Sequence, residues 1–226
     1  MDRFREAVVS DYRRAWWDGE ADAYERRNPN ATGLQPRVLD AIAREVNPGD
    51  SILEVGCGSG ANLRGIETRI QGRIACFGCD PSEIALENGQ AKAPEHEFHR
   101  ATSDALPYAD SSFDLVLLSF VLPWVDPALL LRTVAEVDRV LRDKNSKRPG
   151  ILAIADFAPD SPHSRPYRHH GGLKTWKMDF SALWTAHPGY TCILSHVFDE
   201  TAEENERRRL SVLAKNLPAG FPERNL

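Results

Sequence analysis

The chain has 226 residues, 42% hydrophobic and 27% charged, with a formal net charge of −5. That balance suits one folded α/β domain with a sizeable core, and it supplies no basic field for a polyanion, so a nucleic-acid partner is disfavoured. No apolar run approaches the ~20 residues that cross a bilayer, and the start, Met-Asp-Arg-Phe-Arg-Glu, does not read as a signal peptide, so a cytoplasmic protein without a membrane partner is expected. From about Arg3 to Arg27, Tyr12, Trp16, Trp17 and Tyr24 sit among many charges, which suggests one or two amphipathic helices. Asn28 to Gly33 reads as a turn. Helix signals resume at Gln35-Pro36 and run to about Glu45, and Pro48-Gly49 announces a first strand.

Residues Ile52 to Leu63 read Ile-Leu-Glu-Val-Gly-Cys-Gly-Ser-Gly-Ala-Asn-Leu. A short apolar run ends near an acid, Glu54, and Gly56, Gly58 and Gly60 follow at alternate positions. Glycine allows unusual backbone angles there and lets a ligand approach the main chain closely. The following helix start offers unpaired N–H groups to an electron-rich ligand group. Gly56, Gly58 and Ala61 also satisfy the relaxed dinucleotide pattern, but Glu54 would sit poorly beside a pyrophosphate and could instead meet an ammonium. A second strand, Arg73 to Asp80, ends in an acid that can accept both ribose hydroxyl protons. Pro81 and Ser82 then begin a helix extended by Glu83, Ile84, Ala85 and Leu86.

These motifs resemble the class I S-adenosylmethionine-dependent methyltransferases, whose first motif is E/D-x-G-x-G-x-G. The resemblance implies that Glu54, Gly56, Cys57, Gly58 and Gly60 lie around the methionyl part of the cofactor, that Asp80 is its ribose ligand, and that Pro81 and Ser82 join the cofactor-binding residues. Ala101 to Pro107 resembles the family's adenine-binding loop, with Asp104 for the exocyclic amine and the Ala105 backbone N–H for a ring nitrogen. Ser111 to Leu122 resembles the fourth strand, dense enough in apolar residues to be buried on both faces, and Ser119 joins the expected cofactor residues. The implied fold is a Rossmann-like seven-stranded α/β sheet, mostly parallel, with a C-terminal antiparallel hairpin and helices on both faces. A single domain over 1–226 would comprise an N-terminal helical cap (1–46), a cofactor-binding core (47–157), and a substrate loop with the terminal hairpin (158–226).

Past the fourth strand, Asp126-Pro127 reads as the start of a helix in which Leu130, Leu131, Val134, Val137, Val140 and Leu141 recur at helical spacing to about Arg142. The basic stretch Arg142 to Arg148 reads as a solvated loop, and Ile151 to Phe157 as the fifth strand. Met178 to Ala186 suits a helix and Tyr190 to Phe198 a strand. The acidic approach Glu200 to Glu206 leads to Arg207–Lys215, where alternation favours a final strand antiparallel to Tyr190–Phe198. Cys57, Cys76 and Cys79 read as buried thiols, since C-x-x-C within a strand faces opposite ways; Cys192 stands alone, and no metal is implied.

The acceptor site is harder to read. Ligands gather at the carboxyl ends of strands in open α/β sheets. Many small-molecule relatives have a His just after strand four, but here Pro123 stands near that position, and Trp124 could either floor a pocket or belong to the core. Asp160 to Asp179 is a long polar segment with Gly171-Gly172 as a possible hinge. Loops of that length are usually functional or disordered. It offers Tyr167, Arg165, Arg168 and Lys177 for a polar or anionic acceptor and His169 or His170 as base. The expectation is methyl transfer to O or N, less readily C, of a polar small molecule. The alternatives are the same fold using the cofactor for other chemistry, or a catalytically silent binding subunit. Oligomeric state is left open, a homodimer included.

Overall fold

A computed structural model describes residues 11–29, 31–143, 148–199 and 206–216. The expectations for residues 3–10, 144–147 and 200–205 therefore lie outside the described residues. Among the described residues there are nine strands, with helices between the first and second, the second and third, and the fourth and fifth, as the βα pattern predicts. The main sheet contains β1 (Ser51–Val55), β2 (Ala75–Asp80), β3 (Glu97–Arg100), β4 (Leu115–Ser119), β5 (Gly150–Phe157), β8 (Tyr190–Asp199) and β9 (Arg208–Lys215). Its order is β3-β2-β1-β4-β5-β9-β8. The first five strands are parallel, while β9 runs antiparallel to both β5 and β8. This is the expected seven-stranded architecture.

Strand β4 shows why the apolar runs become central strands. Leu115 and Leu117 face one core, Val116 and Leu118 the other, and all four are buried. Cys76 and Cys79 divide between the same two cores, as residues three apart in a strand must. Cys192, by contrast, is exposed. The short edge strand β3 carries no such apolar run: Glu97, His99 and Arg100 leave only Phe98 to pack inward.

The helices are α1 (Asp11–Ala15), α2 (Ala21–Arg27), α3 (Pro36–Ala43), α4 (Ala61–Glu67), α5 (Glu83–Lys92), α6 (Leu130–Val140) and α7 (Ala182–Thr185). A π-helical turn, Trp16–Glu20, joins α1 to α2 and is kinked at Gly19, whose φ is 147°. Among the described residues no helix is long and apolar enough to cross a membrane.

Three sequence expectations need correction. Helix α6 starts at Leu130, not at Asp126-Pro127. The Asp126 carboxylate accepts from the Ala128 N–H at 2.8 Å, and its carbonyl from Leu129, so it closes a separate turn before the helix. Only Ala182–Thr185 of the expected helix Met178–Ala186 is helical, because the Asp179 carboxylate binds Ser181 through N–H and hydroxyl and holds a turn there. The segment Asp160–Asp179 is not an open loop. It contains a hairpin of β6 (His163–Pro166) and β7 (Lys174–Lys177), pairing His163 with Lys177 and Pro166 with Lys174. Polar ties share the anchoring with one apolar residue, Trp176, which packs on the core: Arg165 and Lys177 both meet Glu206 at 2.5 Å. The alternation that signals a strand is therefore missing.

Candidate functional site

The glycine turn is built by backbone geometry that side chains would oppose. Gly56, Gly58 and Gly60 have φ of 71°, 51° and 72°, in the left-handed region. A Cβ on Gly56 would come within 2.6 Å of Val121 Cγ2, whereas one on Gly58 would meet no protein atom within 4 Å. The Gly56 and Cys57 N–H groups donate to the Cys79 carbonyl at 2.8 and 3.0 Å, which pins the turn to the end of β2.

At that end, Asp80 accepts from the Gly58 N–H at 3.0 Å through Oδ2 and from the Ser82 N–H at 2.9 Å through Oδ1. Burial pushes its carboxyl up to about 6, although these N–H bonds pull the other way. Ser82 caps α5 by accepting from the Ala85 N–H and donates its hydroxyl to Asp22 of α2 at 2.7 Å.

Glu54 is 1% exposed. Its Oε1 accepts from Asn62 Nδ2 at 2.6 Å, and its Oε2 is buried without a hydrogen-bond partner. Desolvation pushes this carboxyl up to about 8, with Asn62 opposing. The Asn62 carbonyl oxygen accepts from the Leu34 N–H at 2.7 Å, so one amide joins the acid to the segment 31–34. Gly33, with φ of 76°, leaves room for that amide, since a Cβ there would stand 2.5 Å from Asn62 Oδ1.

Asp104 is 3% exposed, with Oδ1 3.5 Å from Arg13 Nε and Oδ2 buried and unpartnered. Arg13 also donates to the Thr102 hydroxyl at 3.0 Å, which lays α1 across this loop. After β4, Phe120 has φ of 53°, a rare conformation for a residue with a side chain and a sign of strain retained at a site. Its ring packs edge-on against Phe157 and Phe198, with Val121 over Gly56 and Trp124 in the 3₁₀ turn Leu122–Trp124.

Most of these features border one cavity of about 450 Å³, within the range of small-ligand pockets. Glu54, Gly56, Cys57, Gly58, Asp80, Pro81, Ser82, Asp104 and Ser119 line it, as does Trp124. Gly60 and Ala105 do not. Gly60 forms the left-handed N-cap of α4, and the Ala105 N–H already donates to the Thr102 carbonyl at 3.0 Å, within a tight turn.

The hairpin candidates lie elsewhere. His169 and His170 do not line the cavity: His169 Nε2 accepts from Arg168 Nε at 2.9 Å, and His170 borders a separate surface depression beside Asp18 and Glu20. Lys177 is a buried ion-pair partner of Glu206 standing over the Phe157 ring. Tyr167 lies behind the cavity wall, its hydroxyl between Glu20 and Arg27 and its ring against Trp16 and Trp124. Sequence reasoning missed Asn62, Arg13, Trp16 and Tyr24 as cavity-lining residues. The cluster of aromatics in the N-terminal helical segment was the available signal for the last two. Glu67, Glu95 and His96 form a separate cluster outside the cavity lining.

A family model described as a methyltransferase domain matches residues 52–144, the span that holds the glycine turn, Asp80 and Asp104. Over that span the chain carries a methyltransferase domain. The residues fit S-adenosylmethionine as a cofactor: Glu54 and Asp104 each bring a buried, unpartnered carboxylate oxygen to the cavity, where an ammonium and an amine would supply donors. A demethylmenaquinone methyltransferase of Renibacterium salmoninarum is 30% identical over 159 residues, covering 68% of this chain and 61% of the relative. A malonyl-[acyl-carrier protein] O-methyltransferase of Halorhodospira halophila is 28% identical over 149 residues, covering 63% and 48%. The chain thus spans about half to three-fifths of the length of these curated relatives. Among solved structures, the 1,6-didemethyltoxoflavin-N1-methyltransferase of Burkholderia thailandensis superposes with a TM-score of 0.69 at 18% identity, over 93% of this chain and 92% of that one. That likeness concerns the methyltransferase fold alone.

Proposed function

We propose that this chain transfers a methyl group from S-adenosylmethionine to an oxygen or nitrogen of a small molecule. The observation that carries the reading is the convergence on one cavity of Glu54, the Gly56–Gly58 turn, Asp80 and Asp104, with the Glu54 and Asp104 oxygens lacking partners. When bound, the cofactor supplies a sulfonium whose methyl carbon takes an electron pair from the acceptor while the C–S pair stays on sulfur, leaving S-adenosylhomocysteine. Glu54 serves the cofactor's ammonium, Asp80 its ribose and Asp104 its adenine amine. Val121 and Trp124, on the β4 side, border the acceptor.

No histidine lines the cavity, so the protein's contribution is chiefly to hold the acceptor atom in line and to exclude water. Acceptors that react without a base supplied by the protein, such as an unprotonated nitrogen, fit such a site. The relatives are named for different acceptors, one an O-methyltransferase and one an N1-methyltransferase, so they support transfer without choosing the atom. The test is incubation with methyl-labelled cofactor and a fractionated metabolite mixture. Label should move into a small-molecule fraction; label found only in a protein or nucleic-acid fraction would refute the acceptor class.

A further inference from the structure

Besides Phe120, three aromatic rings from two distant segments border the cavity: Trp16 and Tyr24 from the N-terminal helices, and Trp124 from the turn after β4. Their centroids lie 5.3 Å (Trp16–Trp124), 6.0 Å (Tyr24–Trp124) and 6.1 Å (Trp16–Tyr24) apart, all edge-to-face. At these separations the rings touch one another. They form a continuous wall and leave no space between them for a caged cation. Behind the wall the Tyr167 ring stacks on Trp16 at 6.2 Å and meets Trp124 at 4.9 Å. The Tyr167 hydroxyl is itself held, donating to Glu20 at 2.9 Å and accepting from Arg27 at 2.7 Å. Val121, Val125 and Leu129 extend the apolar lining.

Two further observations narrow the chemistry. Among the described residues Arg13 is the only cationic side chain lining the cavity, and it is engaged at the opposite end with Thr102 and Asp104. The carboxylates of Glu25 and Asp126 also line the cavity and would oppose an anion. The Trp16 indole Nε1–H is buried with no hydrogen-bond partner in the protein, a costly arrangement that a ligand oxygen would relieve.

We infer that the methyl acceptor is a flat, uncharged aromatic ring system bearing an oxygen, selected by the wall of Trp16, Tyr24 and Trp124, with Trp16 Nε1–H donating to that oxygen. The inference rests on the methyl-transfer reading of the cavity and names its substrate class, replacing the polar or anionic metabolite expected from the hairpin residues.

Calorimetry on the full chain saturated with S-adenosylhomocysteine tests it with four probes: 2-naphthol, its saturated non-planar counterpart 2-decalol, the oxygen-free naphthalene and the anionic 2-naphthoate. The expected result is that 2-naphthol binds at least tenfold tighter than 2-decalol or 2-naphthoate and severalfold tighter than naphthalene. Trp124→Ala should weaken 2-naphthol at least fivefold while changing S-adenosylhomocysteine affinity less than twofold, which also shows that the variant is folded. Trp16→Phe, which keeps a ring but removes the N–H, should erase the preference for 2-naphthol over naphthalene. Equal binding of 2-decalol or 2-naphthoate would overturn the inference while leaving the cofactor reading intact. Failure of the parent chain to bind S-adenosylhomocysteine would overturn both, and is seen before any probe is added.

Discussion

Glu54 concentrates the electrostatics of this site in one side chain. Burial raises its carboxyl to about 8, so the free protein holds a proton there at neutral pH. Meeting an ammonium requires that proton to leave, so cofactor affinity should rise with pH, by up to about tenfold per unit between pH 6 and 8. Below about pH 6 the raised carboxyl of Asp80 adds a second protonation that weakens binding further. Calorimetry in buffers of different ionisation enthalpy should show release of about one proton at pH 7; pH-independent affinity without proton release would contradict the assignment. The same shift acts on stability with opposite sense. The folded chain retains a proton that the unfolded chain loses above pH 4.5, so the contribution of Glu54 to stability falls as pH rises from 4.5 through 8. Glu54→Gln should therefore raise the Tm of the cofactor-free protein at pH 8, the gain vanishing toward pH 4.5, while sharply weakening S-adenosylmethionine binding. A Tm difference that does not change with pH would refute this linkage. Glu54, Asp80 and Asp104 were legible in the sequence because each sits in a short segment whose local backbone dictates its place. Trp16 and Tyr24 were not, because their partner Trp124 lies about a hundred residues away and aromatics in a helical segment read equally well as packing.

The hairpin of β6 and β7 acts as a brace behind the site. Lys177 is buried between Glu206 and the Phe157 ring, so Lys177→Ala removes an ion pair and a cation–π contact and leaves Glu206 without that partner. The expected loss is about 1–3 kcal/mol of stability with unchanged S-adenosylhomocysteine affinity, measured by denaturant unfolding and calorimetry. A large loss of cofactor affinity with normal stability would restore Lys177 to the binding site. Tyr167 joins the hairpin to the N-terminal helices through Glu20 and Arg27. Tyr167→Phe should raise the acceptor KM severalfold and leave cofactor affinity within twofold, since only the back of the aromatic wall loosens; an unchanged KM would show that the wall stands without the link. The strands of the main sheet were readable from apolar density and alternation. The hairpin was not, because ion pairs with Glu206 help to anchor it and Trp176 alone of its strand residues packs on the core, which gives no period-two signature. Edge strand β3 escaped for the same reason, with Phe98 as its lone inward-packing residue.

Across the molecule, the sheet order turns at β1 and β4, which run side by side and in parallel although their connections leave in opposite directions. Such a switch point opens a crevice at the carboxyl ends of the strands. The glycine turn after β1, Asp80 at the end of β2 and Ser119 at the end of β4 all border the cavity there. This arrangement could be read from the sequence because parallel βα repeats permit few topologies. The N-terminal helices that complete the cavity could not, since nothing in their pattern names the strand ends they cover. The most direct test of the account is titration of the full chain with S-adenosylmethionine and S-adenosylhomocysteine, alongside Asp80→Ala. One cofactor should bind per chain, with at least tenfold weaker binding of both ligands in the variant. Absence of binding to either ligand, or equal affinity in parent and variant, would contradict it.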